Sequence, residues 1–297
     1  MKLGYIGLGK MGLNMVEHLL EQKHELVVFD ENREVMQRIA WGGVKTATSV
    51  WDVVNSLEGP RLIWLMVPHT VVDAVIDDLI PILKEDDTII DGGNSFYKNS
   101  MANAKKLEEV GINFLDVGTS GGPKGARDGA CLMIGGKKEI YKKFEPLFKD
   151  IAAPDAYGYM GPSGAGHFVK MVHNGIEYGM MQAMGEGFQI MQTSPFGLDL
   201  PKIADVYNHR SVVESRLTEW LVEAYKTHGA DLADISGSVK QSGEGLWTVE
   251  AAKELGVSAP IIEGAVKFRT ESEHNPSYAG KILSALRTTF GGHEVKK

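Results

Sequence analysis

Between Gly164 and Tyr178 the chain reads Gly-Ala-Gly-His-Phe-Val-Lys-Met-Val-His-Asn-Gly-Ile-Glu-Tyr. On a helix, Lys170, His173 or Asn174, Glu177 and Tyr178 fall at i, i+3 or i+4, i+7 and i+8, and so line one face. The stripe gathers a base, an amide, an acid and a phenol, groups that can take one proton from a substrate and return another. An ordinary solvated Lys–Glu face would share this spacing. Here, though, glycines interrupt the stripe at about 1 kcal/mol each in a helix interior, and such losses need a packing or functional reason. His167 and His173 are six residues apart and lie on different sides, so no metal site is expected from them.

Such a stripe needs a scaffold, and the N-terminal residues describe one. An apolar strand, Lys2 to Ile6, runs into Gly7-Leu8-Gly9-Lys10-Met11-Gly12. A helix from about Met11 to Gln22 follows, with Leu13, Val16, Leu19 and Leu20 at helical spacing, and then a second strand, Leu26 to Phe29, that ends on Asp30. This order is that of a dinucleotide-binding βαβ unit: a glycine for the tight turn, one for approach of a pyrophosphate, and one for close packing of helix on strand. The helix N-terminus would then face the phosphates. A carboxylate at Asp30 accepts hydrogen bonds from a ribose 2′-OH and repels a 2′-phosphate, which favours NAD over NADP. Glu31 adds to the repulsion, while Arg33 stands close enough to leave NADP possible. Gly7, Leu8, Gly9, Met11, Gly12 and Asp30 are therefore assigned to the cofactor, together with Met66 and Val67 at the end of a later strand.

Short β-rich runs alternate with helical stretches up to about residue 160. Strands are expected at 2–6, 25–29, 61–67, 87–91, 112–117, 130–134 and near 156–159, which implies a mainly parallel, doubly wound sheet. Two loops close such strands. Asp91-Gly92-Gly93-Asn94-Ser95 and Asp116-Val117-Gly118-Thr119-Ser120-Gly121-Gly122-Pro123 both stand at carboxyl ends, where ligands of doubly wound sheets bind. After residue 162 helical spacing dominates. The expected fold is an α/β Rossmann-type domain, 1–162, followed by an all-α substrate and dimerisation domain, 163–297. The first helix of the second domain is expected to run from Ser163, as N-cap, to near Thr193.

The chain has 297 residues, a formal net charge of −8 and one cysteine, Cys131. The charge argues against nucleic acid or an anionic membrane as partner, and a single cysteine excludes internal disulfides and cysteine-based metal clusters. The longest apolar runs fall far short of a membrane span. With a core strand at the N-terminus rather than a signal peptide, a cytoplasmic location is expected.

The string from Gly164 to Tyr178, the loops Asp91–Ser95 and Asp116–Gly122 and the continuation Gly125-Ala126-Arg127 closely resemble 6-phosphogluconate dehydrogenase in its short bacterial form. The wider β-hydroxyacid dehydrogenase superfamily shares the glycine fingerprint, a Ser-Gly-Gly loop and a catalytic lysine, and His173-Asn174-Gly175-Ile176-Glu177-Tyr178 singles out the phosphogluconate branch. The resemblance implies Lys170 as general base and Glu177 as general acid. It implies Ser120, Gly121, Gly122, His173 and Asn174 around the sugar acid, with Asn94 between cofactor and substrate, and Tyr178 and Arg269 at the phosphate. Arg287 and His293, in Arg287-Thr288-Thr289-Phe290-Gly291-Gly292-His293, resemble the family's tail segment, which reaches into a neighbouring subunit's active site. A homodimer or homotetramer with a shared site follows from the resemblance. Two departures stand out. Where the family typically has a lysine and a threonine two apart, this chain has Ser242-Gly243-Glu244. Asp30-Glu31-Asn32 replaces the common NADP-binding Asn-Arg-Thr.

The implied reaction is oxidative decarboxylation of 6-phosphogluconate to ribulose 5-phosphate and CO2 without a metal. Lys170 must then be neutral, which requires its pKa to fall from about 10.4 through desolvation or nearby positive charge. Two rival readings use the same residues differently: a β-hydroxyacid dehydrogenase for an unphosphorylated acid, and a nucleotide sensor that needs no base and acid.

Overall fold

The central strands of the N-terminal half are apolar on both sides, and this decides the architecture. In the computed structural model, which describes residues 1–40, 42–240 and 243–291, the elements in order are β1 (Lys2–Ile6), α1 (Lys10–Glu21), β2 (Glu25–Phe29), α2 (Arg33–Ala40), β3 (Lys45–Thr46), α3 (Val50–Asn55), β4 (Leu62–Leu65), α4 (Val72–Leu79), β5 (Thr88–Asp91), α5 (Tyr97–Glu108), β6 (Asn113–Ser120), α6 (Gly122–Asp128), β7 (Ala130–Gly136), α7 (Lys138–Ile151) and β8 (Ala152–Gly161). Leu3, Tyr5, Val28, Trp64, Ile90 and Leu115 enter one core with helices α1 and α7. Their neighbours Ile6, Val27, Ile63, Leu65, Ile89 and Phe114 enter another with α3, α4 and α5. Alternation of period two thus feeds a core on each face, as a sheet covered by helices on both sides requires.

The sheet has eight strands in the order β3-β2-β1-β4-β5-β6-β7-β8. All neighbours pair in parallel except β6 and β7, which are antiparallel. The doubly wound reading holds, and the sequence reading missed β3, whose two residues are both exposed and carry no apolar alternation. The outermost strand β8 is longer than the 156–159 expected, because it starts at Ala152 with Pro154 and Asp155, exposed residues that do not read as strand.

The helical remainder comprises α8 (Ala165–Thr193), α9 (Leu200–Tyr207), α10 (Arg216–His228), α11 (Glu244–Glu254), α12 (Pro260–Ser272) and α13 (Tyr278–Gly291). By its contacts the chain divides into a first unit, Met1–Met171, and a second that starts at Val172, so the division falls inside α8. Within the second unit, α8 approaches its neighbours through glycines: a Cβ on Gly175 would meet Thr248 Cγ2 at 2.6 Å, and one on Gly185 would meet Leu283 Cδ1 at 2.4 Å. Close packing is therefore one reason for those glycines.

The start of α8 corrects an expectation. Ser163 does not cap it. The carboxylate of Asp116, wholly buried, accepts the amide hydrogens of Gly164 at 2.7 Å and His167 at 2.9 Å. A charged acceptor from β6 thus replaces a local hydroxyl at the positive end of the helix.

Candidate active site

The three fingerprint glycines differ in what surrounds them. Gly7 has φ +99°, and a Cβ there would lie 2.4 Å from the Met66 carbonyl oxygen. A Cβ on Gly12 would lie 2.1 Å from the Gly7 carbonyl oxygen, so only glycine lets α1 sit so near β1. Gly9 has open space around it, and it begins α1 with no side-chain cap. Turn, open approach and close packing are thus separated as a pyrophosphate-binding turn requires. Asp30 closes the cradle by accepting the Leu8 amide at 2.5 Å and the Asn32 amide at 2.7 Å. Met66 joins it as well, its amide hydrogen-bonded to the Ile6 carbonyl at 2.8 Å. These residues fit a bound dinucleotide.

The loops after β5 and β6 are ordered from within. Asp91, fully buried, accepts the Gly93 amide at 3.0 Å and the Ser95 hydroxyl at 2.6 Å. The Thr119 hydroxyl donates to the Gly92 carbonyl at 3.2 Å, tying the two loops together. This leaves Asn94 half-buried at one strand end and Ser120, Gly121 and Gly122 half-buried at the next. Behind them, Lys170 is 7% exposed and packs on β6: a Cβ on Gly118 would come within 2.3 Å of its Cβ. Cys131, opposite Ser120 in the β6–β7 register, feels the Lys170 charge through space, although burial pushes its thiol pKa up overall. His167, one turn before Lys170, is fixed by a 2.7 Å hydrogen bond between its Nδ1 and the Ser100 hydroxyl.

Further along α8, His173 Nδ1 lies 3.1 Å from Asn174 Oδ1 and 3.9 Å from Glu177 Oε2. Tyr178 is buried among Val249, Ala265 and Val266, with the Arg269 guanidinium 3.5 Å above its ring. Arg269 is only 1% exposed, and its Nη1 donates to the Lys240 carbonyl at 3.3 Å. Arg287 donates to the same carbonyl oxygen. Burial pushes the Arg269 pKa down to about 10, with the Arg287 charge acting in the same direction and Tyr178, Glu177 and Glu244 opposing it. Arg269 therefore stays cationic at neutral pH.

The second unit thus brings His173, Asn174, Glu177, Tyr178, Arg269 and Arg287 into one neighbourhood. Arg287 sits on α13, where it donates to the Lys240 carbonyl oxygen. His293 and Ser242 lie outside the described residues. The sequence reading did not single out Asp116 as the anchor of α8 or Lys240 as the shared acceptor. The first acts across 48 positions and the second through its backbone, and neither leaves a local pattern.

Family models match both halves of the chain: the NAD-binding domain of 6-phosphogluconate dehydrogenase over residues 2–162, and the C-terminal domain of the same enzyme over 166–296. The chain belongs to the 6-phosphogluconate dehydrogenase family. It is 44% identical to the YqeC protein of Bacillus subtilis over the full length of both. It is 42% identical to the NAD(+)-dependent, decarboxylating 6-phosphogluconate dehydrogenase of Haloferax volcanii, covering all of this chain and 99% of that one. Among solved structures, Plasmodium falciparum 6-phosphogluconate dehydrogenase superposes with a TM-score of 0.78 at 28% identity, over 96% of this chain and 70% of that one.

Proposed function

We propose that this chain oxidatively decarboxylates 6-phosphogluconate to ribulose 5-phosphate and CO2, using NAD in preference to NADP. The observation that carries the reading is the placement of Lys170 and Glu177 two turns apart on one helix, α8. Asp116 fixes that helix at its start, and the Glu177 end neighbours a pair of arginines. A bound nicotinamide would supply the acceptor for the hydride that leaves C3. Lys170 accepts the C3 hydroxyl proton and returns it to the C3 carbonyl oxygen as CO2 leaves. Glu177 then protonates C1 of the enediol. Ser120, Gly121, Gly122, His173 and Asn174 hold the sugar acid, with Asn94 between it and the cofactor. Tyr178, Arg269 and Arg287 hold the phosphate, since planar guanidinium forks suit its oxygens. The three roles of Gly7, Gly9 and Gly12 support the cofactor assignment, and Asp30 supports the preference for NAD.

On this reading 1–162 is the dinucleotide-binding domain and 163–297 the substrate domain. The enzyme is a homodimer or homotetramer, with Ile176, Met180 and Ile190 on α8 supplying exposed apolar surface for subunit contact. Arg287 and His293 are the residues through which an active site shared between subunits would be built.

Reduction of NAD assayed with 6-phosphogluconate, gluconate and 3-hydroxyisobutyrate tests the proposal. Rapid turnover with 6-phosphogluconate and one CO2 per NADH supports it. Preference for either unphosphorylated acid favours a different β-hydroxyacid dehydrogenase, and binding of NAD without turnover of any substrate favours a sensor.

A further inference from the structure

Arg269 and Arg287 share one neutral acceptor, the Lys240 carbonyl oxygen, and Arg269 Nη2 also donates to Met181 Sδ at 3.7 Å; these neutral acceptors receive hydrogen bonds but cannot balance two positive charges. Among the described residues Arg269 Nε has no hydrogen-bond partner, so the pair keeps donor capacity in reserve. The balancing charge comes from elsewhere in the second unit. Glu244, the first residue of α11, is 6% exposed. It follows Gly243, whose φ of +102° turns the chain into the helix, and precedes Gly245, where a Cβ would lie 2.5 Å from the Tyr178 ring that Arg269 also covers. Glu244 is thereby packed into the same cluster. It acts through space on both guanidiniums, as does Glu177. The charged and titratable groups of this cluster are Glu177, Tyr178 and, 3.9 Å from Glu177, His173 from α8, Glu244 from α11, Arg269 from α12 and Arg287 from α13.

Two guanidiniums face two carboxylates. The carboxylates oppose the arginines' pull on an incoming anion, which then depends on directed hydrogen bonds. We propose that Glu244 is the resident counter-anion of the Arg269–Arg287 pair and restricts it to an anion with several oxygens that can engage both forks, a phosphate monoester rather than a lone carboxylate or hydroxyl. This deepens the phosphate-substrate reading above and rests on it. Glu244 acts by opposing weak anions, so removing its charge tightens anion binding and loosens selectivity.

Calorimetric titration of the full-length protein with inorganic phosphate and with gluconate tests this, comparing wild type with Glu244→Gln, Glu244→Met and Glu244→Asp. Both charge-removing variants are expected to bind inorganic phosphate about tenfold more tightly. They should also gain on gluconate, so that KM for 6-phosphogluconate falls while discrimination against gluconate narrows. Glu244→Asp, which keeps the charge, should stay near wild type. Glu244→Met provides a second removal of charge if Glu244→Gln folds poorly. Unchanged or weaker phosphate binding in a charge-removing variant that keeps the wild-type circular dichroism overturns the inference, because Glu244 would then be holding the arginines in place. Tighter phosphate binding in a protein that never turns over 6-phosphogluconate would instead sink the proposed reaction and leave the role of Glu244 standing.

Discussion

Lys170 rests directly on Gly118: any side chain at Gly118 would start 2.3 Å from the lysine Cβ. The position of the proposed base is therefore set by the absence of one methyl group on β6. Gly118→Ala should push Lys170 out of line and lower kcat on the order of 10²-fold, the scale of a misplacement by about 1 Å. The Kd for NAD, measured by fluorescence titration, should hardly move. An unchanged kcat would show that α8 can shift without consequence.

Asp116 fixes the same helix from its end. Asp116→Ala strands two buried amide hydrogens, each costing about 1–3 kcal/mol, so the melting temperature should fall by several degrees. Turnover should fall further than the loss of folded protein explains. Asp116→Asn, which keeps one acceptor oxygen, should lie between. Calorimetry and kcat on the same preparations check both effects.

These two contacts show where the sequence was readable. The doubly wound sheet was legible because short β-rich runs alternate with helical stretches, and the nucleotide turn because Gly7, Gly9 and Gly12 occur in a fixed local frame. The stripe from Lys170 to Tyr178 was legible for the same reason, being a matter of helical spacing. Asp116 capping a helix 48 positions away depends on tertiary packing that no local period records. Ser163, a good cap by residue type, lost to it because a buried carboxylate is the stronger acceptor at a helix N-terminus. Likewise, the resemblance placed Arg287 in a tail segment, and helix α13 continues through it to Gly291.

Asp30 should set the coenzyme preference. Wild type should show higher kcat/KM with NAD, and Asp30→Ser combined with Glu31→Arg should move the ratio toward NADP by about tenfold or more. Asp30 also holds the Leu8 and Asn32 amides. The double variant should therefore lose absolute activity with NAD beyond what the ratio alone implies. A wild-type enzyme that prefers NADP would contradict the role assigned to Asp30.

Stability should fall on mild acidification because of His24. Its ring is buried, with Nε2 3.0 Å from Asp150 Oδ2 and Nδ1 3.1 Å from the Met1 amino group. Burial lowers its pKa below the ordinary value, and the Asp150 hydrogen bond only partly opposes this. The unfolded chain thus binds a proton here at a pH where the folded chain does not. The contribution of neutral His24 is full above about pH 6.5, the unfolded value, and is lost as pH falls through the folded value. Melting temperatures between pH 5 and 8 should drop on the acid side, and His24→Gln should flatten that part of the profile. An equal slope in the variant would assign the acid sensitivity to other groups.

The proposed reaction turns on Lys170 as the base. Single-turnover formation of NADH from 6-phosphogluconate, followed by stopped flow in wild type and Lys170→Met, tests it most directly. The variant should lose roughly 10²–10⁴-fold in the hydride-transfer rate, the usual contribution of a general base, while binding NAD with nearly unchanged affinity. A Lys170→Met protein that retains most of the wild-type rate would contradict the mechanism.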